Sequence, residues 1–153
     1  MDTRSKRLKP NLLTPVLALW VSACAPTPYL FLQYGSELKP IDLAKALAEN
    51  PLGPNENFRM MTLGQAQSVS HHVVQIRDRE GQHMHKTHDG TVVMIRGSGY
   101  LMMGNKKIEL SVGDIVHIPR GAAHYFVNTG GEPAVAFVAF SPPFDGKDVV
   151  PVK

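Results

Sequence analysis

Between Phe58 and Phe140 the chain is divided into short apolar runs of four to eight residues, in which apolar and polar side chains tend to alternate. A period of two is the spacing of side chains on one face of a β-strand, whereas a helix repeats at 3.6 residues. Glycine and asparagine, which favour turns, separate the runs. The pattern predicts eight strands, at Phe58–Leu63, Val69–Ile76, Thr91–Arg96, Tyr100–Met103, Lys107–Leu110, Ile115–Ile118, His124–Asn128 and Ala134–Phe140. So many short strands without a second helix pattern predict an all-β sandwich or barrel.

The flanking segments differ from this core in composition. Residues 24–57 are predicted as a tether and one short helix, residues 43–49, which Asp42 would cap. The apolar patch 29–32 is unusual for a linker, and we expect it to pack on the barrel. Residues 58–141 form the predicted barrel, and residues 142–153 a tail, because Pro142 and Pro143 cannot continue a central strand. A chain of 153 residues is long enough for one such domain.

The first 23 residues have the order of a secretory signal. A basic start is followed by the short apolar run 12–21, and Ser22 and Ala23 precede the only cysteine, Cys24. The run is too short for a spanning helix, which needs about 20 apolar residues, and Pro15 interrupts it. An ordinary signal peptide and an uncleaved N-terminal anchor are the alternatives.

The segment 21–24, Val-Ser-Ala-Cys, resembles the lipobox of bacterial lipoproteins. This resemblance implies cleavage before Cys24 and acylation of its sulfur, which would hold the mature domain at a membrane surface. Ala25 stands where an inner-membrane retention signal would show Asp, so the expected location is the outer membrane facing the periplasm. The partner would then be a bacterial membrane, reached through the lipid.

The basic character of the chain belongs to this leader. Residues 1–23 carry a net charge of +3, which equals the formal net charge of the whole chain, so the remainder is neutral. A nucleic-acid-binding domain would instead carry its positive charge on the folded part. We therefore expect no nucleic-acid partner.

Three histidines stand at positions that could share a metal ion. His83 and His85 are two residues apart, so on a strand both project from the same face. His124 begins another predicted strand. His71 and His72 are adjacent, so only one of them can face inward, and His72 shares its parity with the apolar Val74.

The spacing G-x5-P-x-G-x2-H-x3-N occurs in the chain at Gly113, Pro119, Gly121, His124 and Asn128. These residues match every fixed position of the second motif of the cupin superfamily, which the chain resembles over about residues 58–140. The first motif, G-x5-H-x-H-x3,4-E-x6-G, is matched in part, by His83, His85 and Gly97, with its leading glycine displaced to Gly81. The resemblance implies a single-domain jelly-roll β-barrel with a metal site inside.

One ligand of the family pattern is missing. The glutamate position falls on Gly90, so the expected metal ligands are His83, His85 and His124, with His88 or Asp89 as open additions. Strand alternation would point Asp89 away from the face of position 90. The metal is expected to be a divalent ion such as Fe, Mn, Zn or Ni. A metal-free barrel whose histidines merely line a cavity is the alternative.

The family includes three-histidine members, some of them iron-dependent dioxygenases of thiols or diketones. For this chain the resemblance implies a metal-dependent dioxygenase, isomerase or lyase that acts on a small acidic molecule. Without the carboxylate the site is one unit more positive, which favours an anionic ligand. The alternative function is an envelope protein that binds a metal or metabolite without turnover. A homodimer is left open.

Overall fold

The computed structural model describes residues 28–152. The leader 1–23 and the lipidation candidate Cys24 lie outside the described residues. Within 28–152 the chain forms one helix, α1 (Leu43–Glu49), and twelve strands. These are β1 (Tyr29–Tyr34), β2 (Glu37–Asp42), β3 (Phe58–Gln65), β4 (Ser70–Ile76), β5 (His83–His85), β6 (Asp89–Arg96), β7 (Gly99–Met103), β8 (Lys106–Leu110), β9 (Ile115–Ile118), β10 (His124–Asn128), β11 (Ala134–Ser141) and β12 (Val149–Pro151).

Ten strands form two antiparallel five-stranded sheets that face each other as a jelly-roll barrel. One sheet has the order β12-β5-β10-β7-β8, and the other has the order β3-β4-β11-β6-β9. All eight predicted strands are present, with boundaries that differ by at most two residues. The predicted all-β class is therefore confirmed, together with the short N-terminal helix.

The main core lies between the two sheets. Both sheets contribute to it, for example with Val74 and Val138 from one and Leu101 and Phe126 from the other. The inward residues alternate along each strand, as in β10, where His124 and Phe126 are buried and Tyr125 between them is only partly buried. Burying a large apolar side chain contributes about 1.5–3 kcal/mol, so this alternation fixes which face of each strand turns inward.

Part of the segment predicted as a tether is instead a β-hairpin. Strands β1 and β2 pair along their whole length around a turn at Gly35, whose positive φ of 63° suits glycine. Pro40 is tolerated because this sheet has only two strands. Within the apolar patch, Leu30 packs near Leu43, but Tyr29 and Phe31 are 58% and 67% exposed, so only part of the patch packs as expected.

Helix α1 begins and ends where the sequence predicts. The side chain of Asp42 accepts a hydrogen bond from the backbone N–H of Lys45 (3.1 Å), and Asn50 terminates the helix. Leu43 and Leu47, one turn apart, are buried against Val73 and Val135 on the outer face of the second sheet. The helix therefore covers the side of that sheet that faces away from the barrel interior. No helix among residues 28–152 has the length and apolar character needed to span a membrane.

Candidate metal centre

Strands β5 and β10 bring the three predicted histidines together inside the barrel. His83 and His85 project from the same face of β5, and His124 lies directly opposite His83 in the neighbouring strand. The ring centroids of His83 and His124 are 4.3 Å apart, and that of His85 is 5.2 Å from the first and 5.6 Å from the second. One ligand nitrogen from each ring lies within 4.8 Å of the others.

The second nitrogen of each ring is already engaged. His83 Nδ1 lies 2.8 Å from the carbonyl oxygen of Gly81, and His124 Nδ1 lies 2.9 Å from that of Ala122. His85 Nδ1 lies 3.0 Å from Oδ1 of Asp148. Because these oxygens accept hydrogen bonds, each Nδ1 carries the proton, which leaves Nε2 with a free lone pair. Three neutral imidazoles oriented in this way fit the requirements of a divalent metal ion.

The protonation of the buried rings favours the same arrangement. The pKa of His124 is lowered to about 4, mainly by burial and further by the neighbouring His83 and His85. The hydrogen bond to the Ala122 carbonyl acts in the opposite direction but does not outweigh them. Burial also lowers the pKa of His85, against the opposing hydrogen bond to Asp148. At neutral pH both rings are therefore uncharged, which is the state that binds a metal.

The predicted tail closes the other side of the centre. Strand β12 pairs with β5, with Val149 opposite His85. The aromatic ring of Phe144 stands edge-on to the ring of His85, with centroids 5.5 Å apart. The backbone N–H of Phe144 donates to the buried hydroxyl of Ser70 (2.9 Å). The tail, whose role the sequence left open, is therefore part of the site.

Asp148 is the residue through which the tail reaches the metal ligands. Its carboxylate accepts hydrogen bonds from His85, from His88, and from both the backbone N–H (2.8 Å) and the hydroxyl (2.7 Å) of Thr87. Burial alone would raise the pKa of Asp148, but these hydrogen bonds outweigh it and hold the pKa well below its usual range. A carboxylate behind a metal-binding histidine fixes the ring and increases its basicity. Sequence reasoning missed Asp148, because nothing in the sequence indicates the pairing of β12 with β5.

Neither of the two additional candidates joins the three histidines. Both nitrogens of His88 are occupied, Nδ1 by Asp148 and Thr87 and Nε2 by the carbonyl of Pro143 (3.0 Å). Asp89 binds the Arg120 guanidinium (2.6 Å) and backbone N–H (2.9 Å), and these hydrogen bonds hold the pKa of Asp89 well below its usual range. Its carboxylate is therefore committed elsewhere, in agreement with strand alternation.

Gly90 occupies the place of the family's glutamate and faces the barrel interior. It lines the central cavity, and a methyl group added there would lie 3.5 Å from the ring of Phe140. The Phe140 ring in turn lies 5.0 Å from that of His85. An aromatic ring thus borders the space into which a carboxylate would extend.

The histidines open into a cavity of about 570 Å³ between the two sheets. Most of its wall is apolar, including Met60, Val74, Leu101 and Val138. Besides the histidines, its polar lining consists of Asn57, Arg79, Glu80 and Gln82. A cavity of this size can hold a small organic molecule.

Glu80 is the carboxyl group of this cavity, and sequence reasoning did not single it out. It precedes β5, and its Oε2 accepts a hydrogen bond from the backbone N–H of Phe126 (3.0 Å). Burial raises the pKa of Glu80, against the opposing effects of His83 and of the Phe126 N–H. Glu80 belongs to no motif, and its partner is 46 residues away.

The adjacent pair His71 and His72 divides as predicted. His72 is 1% exposed and bonds the hydroxyls of Ser70 (2.7 Å) and Thr62 (3.2 Å). His71 is only partly buried and pairs with the Tyr34 hydroxyl (2.8 Å). His72 is therefore a core histidine and is not one of the three convergent rings.

Two antiparallel sheets around an apolar cavity, with three convergent imidazoles at its wall, define a small β-barrel protein with a candidate metal and ligand site. The family model of the cupin domain matches residues 70–140. A protein from Aquifex aeolicus is 35% identical over 117 residues, which cover 76% of this chain and 93% of that protein. The chain belongs to the cupin superfamily.

Solved structures share the fold at low sequence identity. TT1209 from Thermus thermophilus is 19% identical with a TM-score of 0.59, and the match covers 68% of this chain and 97% of that one. KdgF from a Halomonas species is 21% identical with a TM-score of 0.57, and the match covers 64% of this chain and 91% of that one. At these identities the likeness concerns the barrel alone.

Proposed function

We propose that this cupin binds a divalent metal ion through His83, His85 and His124 and holds a small acidic molecule against it. The orientation of the three rings carries this proposal. Each Nδ1 is engaged by an oxygen acceptor, so each ring has one free nitrogen for the shared ion. Iron, zinc and nickel suit imidazole ligands, whereas manganese suits carboxylate ligands better, so a site of three histidines favours the first three metals.

The charge and the lining of the cavity support an acidic ligand with an apolar body. Gly90 supplies no carboxylate, so three neutral imidazoles leave the charge of the ion uncompensated, and an anionic group is the natural complement. The rest of the ligand would lie along the apolar wall of the cavity. A bound metal would act there as a Lewis acid that polarises an oxygen of the ligand.

Two outcomes follow from such a site, and we place the enzyme first. The reaction classes are dioxygenase, isomerase and lyase. The cavity contains a carboxyl group, Glu80, that could take part in proton transfer. A binding protein without turnover is the alternative, and the absent carboxylate at Gly90 favours it.

We also propose that the protein is a lipoprotein of the outer membrane. Cleavage before Cys24 and acylation of its sulfur would hold the barrel at the periplasmic side of the outer membrane. Metabolic labelling with a radioactive fatty acid tests this in a bacterial host. Label on the wild-type chain and none on the Cys24→Ser variant is the expected result, and an unlabelled wild-type chain would contradict it.

Metal titration of the full chain tests the centre. After treatment with a chelator, the protein is titrated by calorimetry with Zn²⁺, Mn²⁺, Fe²⁺ and Ni²⁺, and metal content is measured on protein from the native envelope. His124→Ala should lower the metal affinity by more than about 100-fold, because removing a metal ligand costs more affinity than removing a hydrogen-bond partner of a ligand. His117→Ala is the matched control, since His117 is exposed on β9. Equal affinities in these two variants would refute the site.

A further inference from the structure

Glu80 is fixed beside the metal-binding face of β10. Its backbone N–H donates to the carbonyl oxygen of Phe126 (2.9 Å), and its side-chain Oε2 accepts from the N–H of the same residue (3.0 Å). Phe126 lies two residues beyond His124 and shares its inward face. The backbone hydrogen bond fixes the main chain of Glu80 beside β10, and the side-chain hydrogen bond holds its carboxyl group there.

The second carboxyl oxygen of Glu80, Oε1, is not engaged by the rest of the described chain. Among the described residues, Oε1 of Glu80 has no hydrogen-bond partner. In the same part of the chain every fully buried side-chain N or O atom has a partner, so Oε1 is accessible. Glu80 lines the cavity that also contains His83 and His124, so that oxygen can be reached by a ligand held there.

We propose that Glu80 is the proton-transfer residue of this site and that its substrate is a 2-oxo acid with an apolar side chain. This inference rests on the proposed function, because it takes the three histidines as the place where the acidic head group is held. A 2-oxo acid presents a carboxylate and a carbonyl oxygen on adjacent carbons, which suits an uncompensated cation. Its apolar side chain matches a cavity wall built from residues such as Met60, Leu101 and Val138.

The proposed step is the transfer of one proton from carbon. The C–H bond next to the carbonyl breaks, and the proton passes to Oε1 of Glu80. The electron pair of that bond forms the C=C bond of an enolate, while the carbonyl π pair moves onto the oxygen. Return of a proton to carbon regenerates the carboxylate, so no oxidant or reductant is consumed. In D₂O the proton on Glu80 can exchange with solvent, and the hydrogen that returns to carbon is then deuterium.

Hydrogen exchange on phenylpyruvate tests the step. The full chain loaded with diamagnetic Zn²⁺ is mixed with phenylpyruvate in D₂O, and loss of the C3 signal is followed by ¹H NMR against Zn²⁺ alone. We expect exchange by the wild-type chain and a rate at least about 100-fold lower in Glu80→Gln, within the usual range for general acid–base groups. The Gln amide oxygen can still accept from Phe126, so the variant should fold. Glu109→Gln, which makes the same charge change on an exposed carboxylate, should exchange at the wild-type rate.

Binding of phenylpyruvate supplies a readout other than turnover. By calorimetry, Zn²⁺-loaded Glu80→Gln should bind it as tightly as the wild-type chain or more tightly, because a negative charge facing an anionic ligand has been removed. Binding that is more than tenfold weaker would instead make Glu80 a binding residue and overturn the assignment.

The remaining outcomes separate this inference from the proposed function. Equal exchange by the wild-type chain and Glu80→Gln would overturn the role of Glu80. If the wild-type chain binds Zn²⁺ and phenylpyruvate but exchanges no hydrogen, the substrate class is wrong and the metal site stands. If it binds no Zn²⁺ at all, the proposed function fails, and this inference fails with it.

Discussion

His124 and His85 face each other across the candidate metal centre, but their rings are oriented by partners at very different distances along the chain. His124 Nδ1 bonds the carbonyl of Ala122, two residues earlier, whereas His85 Nδ1 bonds Asp148, 63 residues later. His83 follows the local pattern through Gly81. The rings of His83 and His124 are oriented by backbone of their own segments, whereas the ring of His85 is oriented only where the tail is docked. One side of the centre is therefore built by nearby backbone and the other by tertiary structure.

The same contrast extends to charge. A carbonyl gives a protonated ring only a dipole, but Asp148 gives it a full negative charge. Burial therefore lowers the pKa of His124 to about 4, while the hydrogen bond to Asp148 opposes the lowering at His85. Lowering the pH should therefore reduce the stability of the folded chain more through His124 than through His85.

Acid unfolding of the metal-free chain should show the largest effect. The pKa of His124 is about 4 when folded and 6.5 in its unperturbed state, so between these values the unfolded chain binds more protons. The free energy of unfolding is thus highest above pH 6.5 and falls as the pH drops toward 4, by roughly 3 kcal/mol from this residue. Buried His72, with a pKa of about 4, acts in the same direction.

Urea unfolding at pH 7, 5.5 and 4, in the presence of a chelator, measures this dependence. His124→Gln should flatten the curve, because the variant has no group to protonate at that position. His117→Gln is the control, since that side chain is exposed on β9. Identical pH dependence in the wild-type chain and His124→Gln would show that the buried ring does not resist protonation.

Removing the carboxylate behind His85 should have the next largest effect, on metal affinity. Asp148→Ala leaves His85 Nδ1 without its acceptor, and we expect Zn²⁺ binding to weaken by about 10- to 100-fold, the usual cost of losing such a partner. Competition with a chelating dye measures the affinity. Asp145→Ala is the matched control, because Asp145 is an exposed tail carboxylate whose hydrogen bond stays within the tail.

Ring tautomers in the metal-free Asp148→Ala chain would sharpen the comparison further. Long-range ¹H–¹⁵N NMR distinguishes the Nδ1–H from the Nε2–H form of each histidine. His85 should lose its preference for Nδ1–H, whereas His83 and His124 should keep it through their carbonyl partners. A change at all three rings, or at none, would mean that the two sides are not independently oriented.

The sequence predicted what depends on near neighbours. The strands of the barrel follow from alternation and turn residues, and helix α1 follows from the cap at Asp42. The three ligand candidates follow from the spacing of His83 and His85 and from the motif around His124. Strand alternation also placed Asp89 correctly on the face away from the site.

What the sequence did not predict depends on contacts between distant segments. Asp148 acquires its role only through the register of β12 on β5, and Glu80 acquires its role only through its hydrogen bonds to Phe126. Both are ordinary carboxylates in unpatterned stretches. The hairpin at residues 29–42 was not predicted, because Gly35 and Pro40 are residues typical of linkers. In the structure Gly35 lies in the turn of the hairpin and Pro40 lies in its second strand.

Filling the glutamate position with a methyl group should have the smallest effect. Gly90 borders the side of the centre held by the tail, and its added Cβ would lie in ordinary contact with Phe140, at 3.5 Å. Gly90→Ala should raise the free energy of unfolding by about 0.5 kcal/mol, because alanine loses less chain entropy than glycine within a strand. Zn²⁺ affinity should change less than twofold, since neither His85 nor Asp148 has to move.

Gly99 provides the contrast for this experiment. A methyl group at Gly99 would collide with the backbone carbonyl oxygen of Val127, so Gly99→Ala should destabilise the barrel in the same urea assay. If Gly90→Ala were as destabilising as Gly99→Ala, position 90 would have no room for any side chain. The packing of Phe140 would then prevent a glutamate at position 90 from reaching the metal, even if the sequence supplied one. A stable Gly90→Ala chain with unchanged Zn²⁺ affinity would instead mean that a small side chain at position 90 does not disturb metal binding by the three histidines.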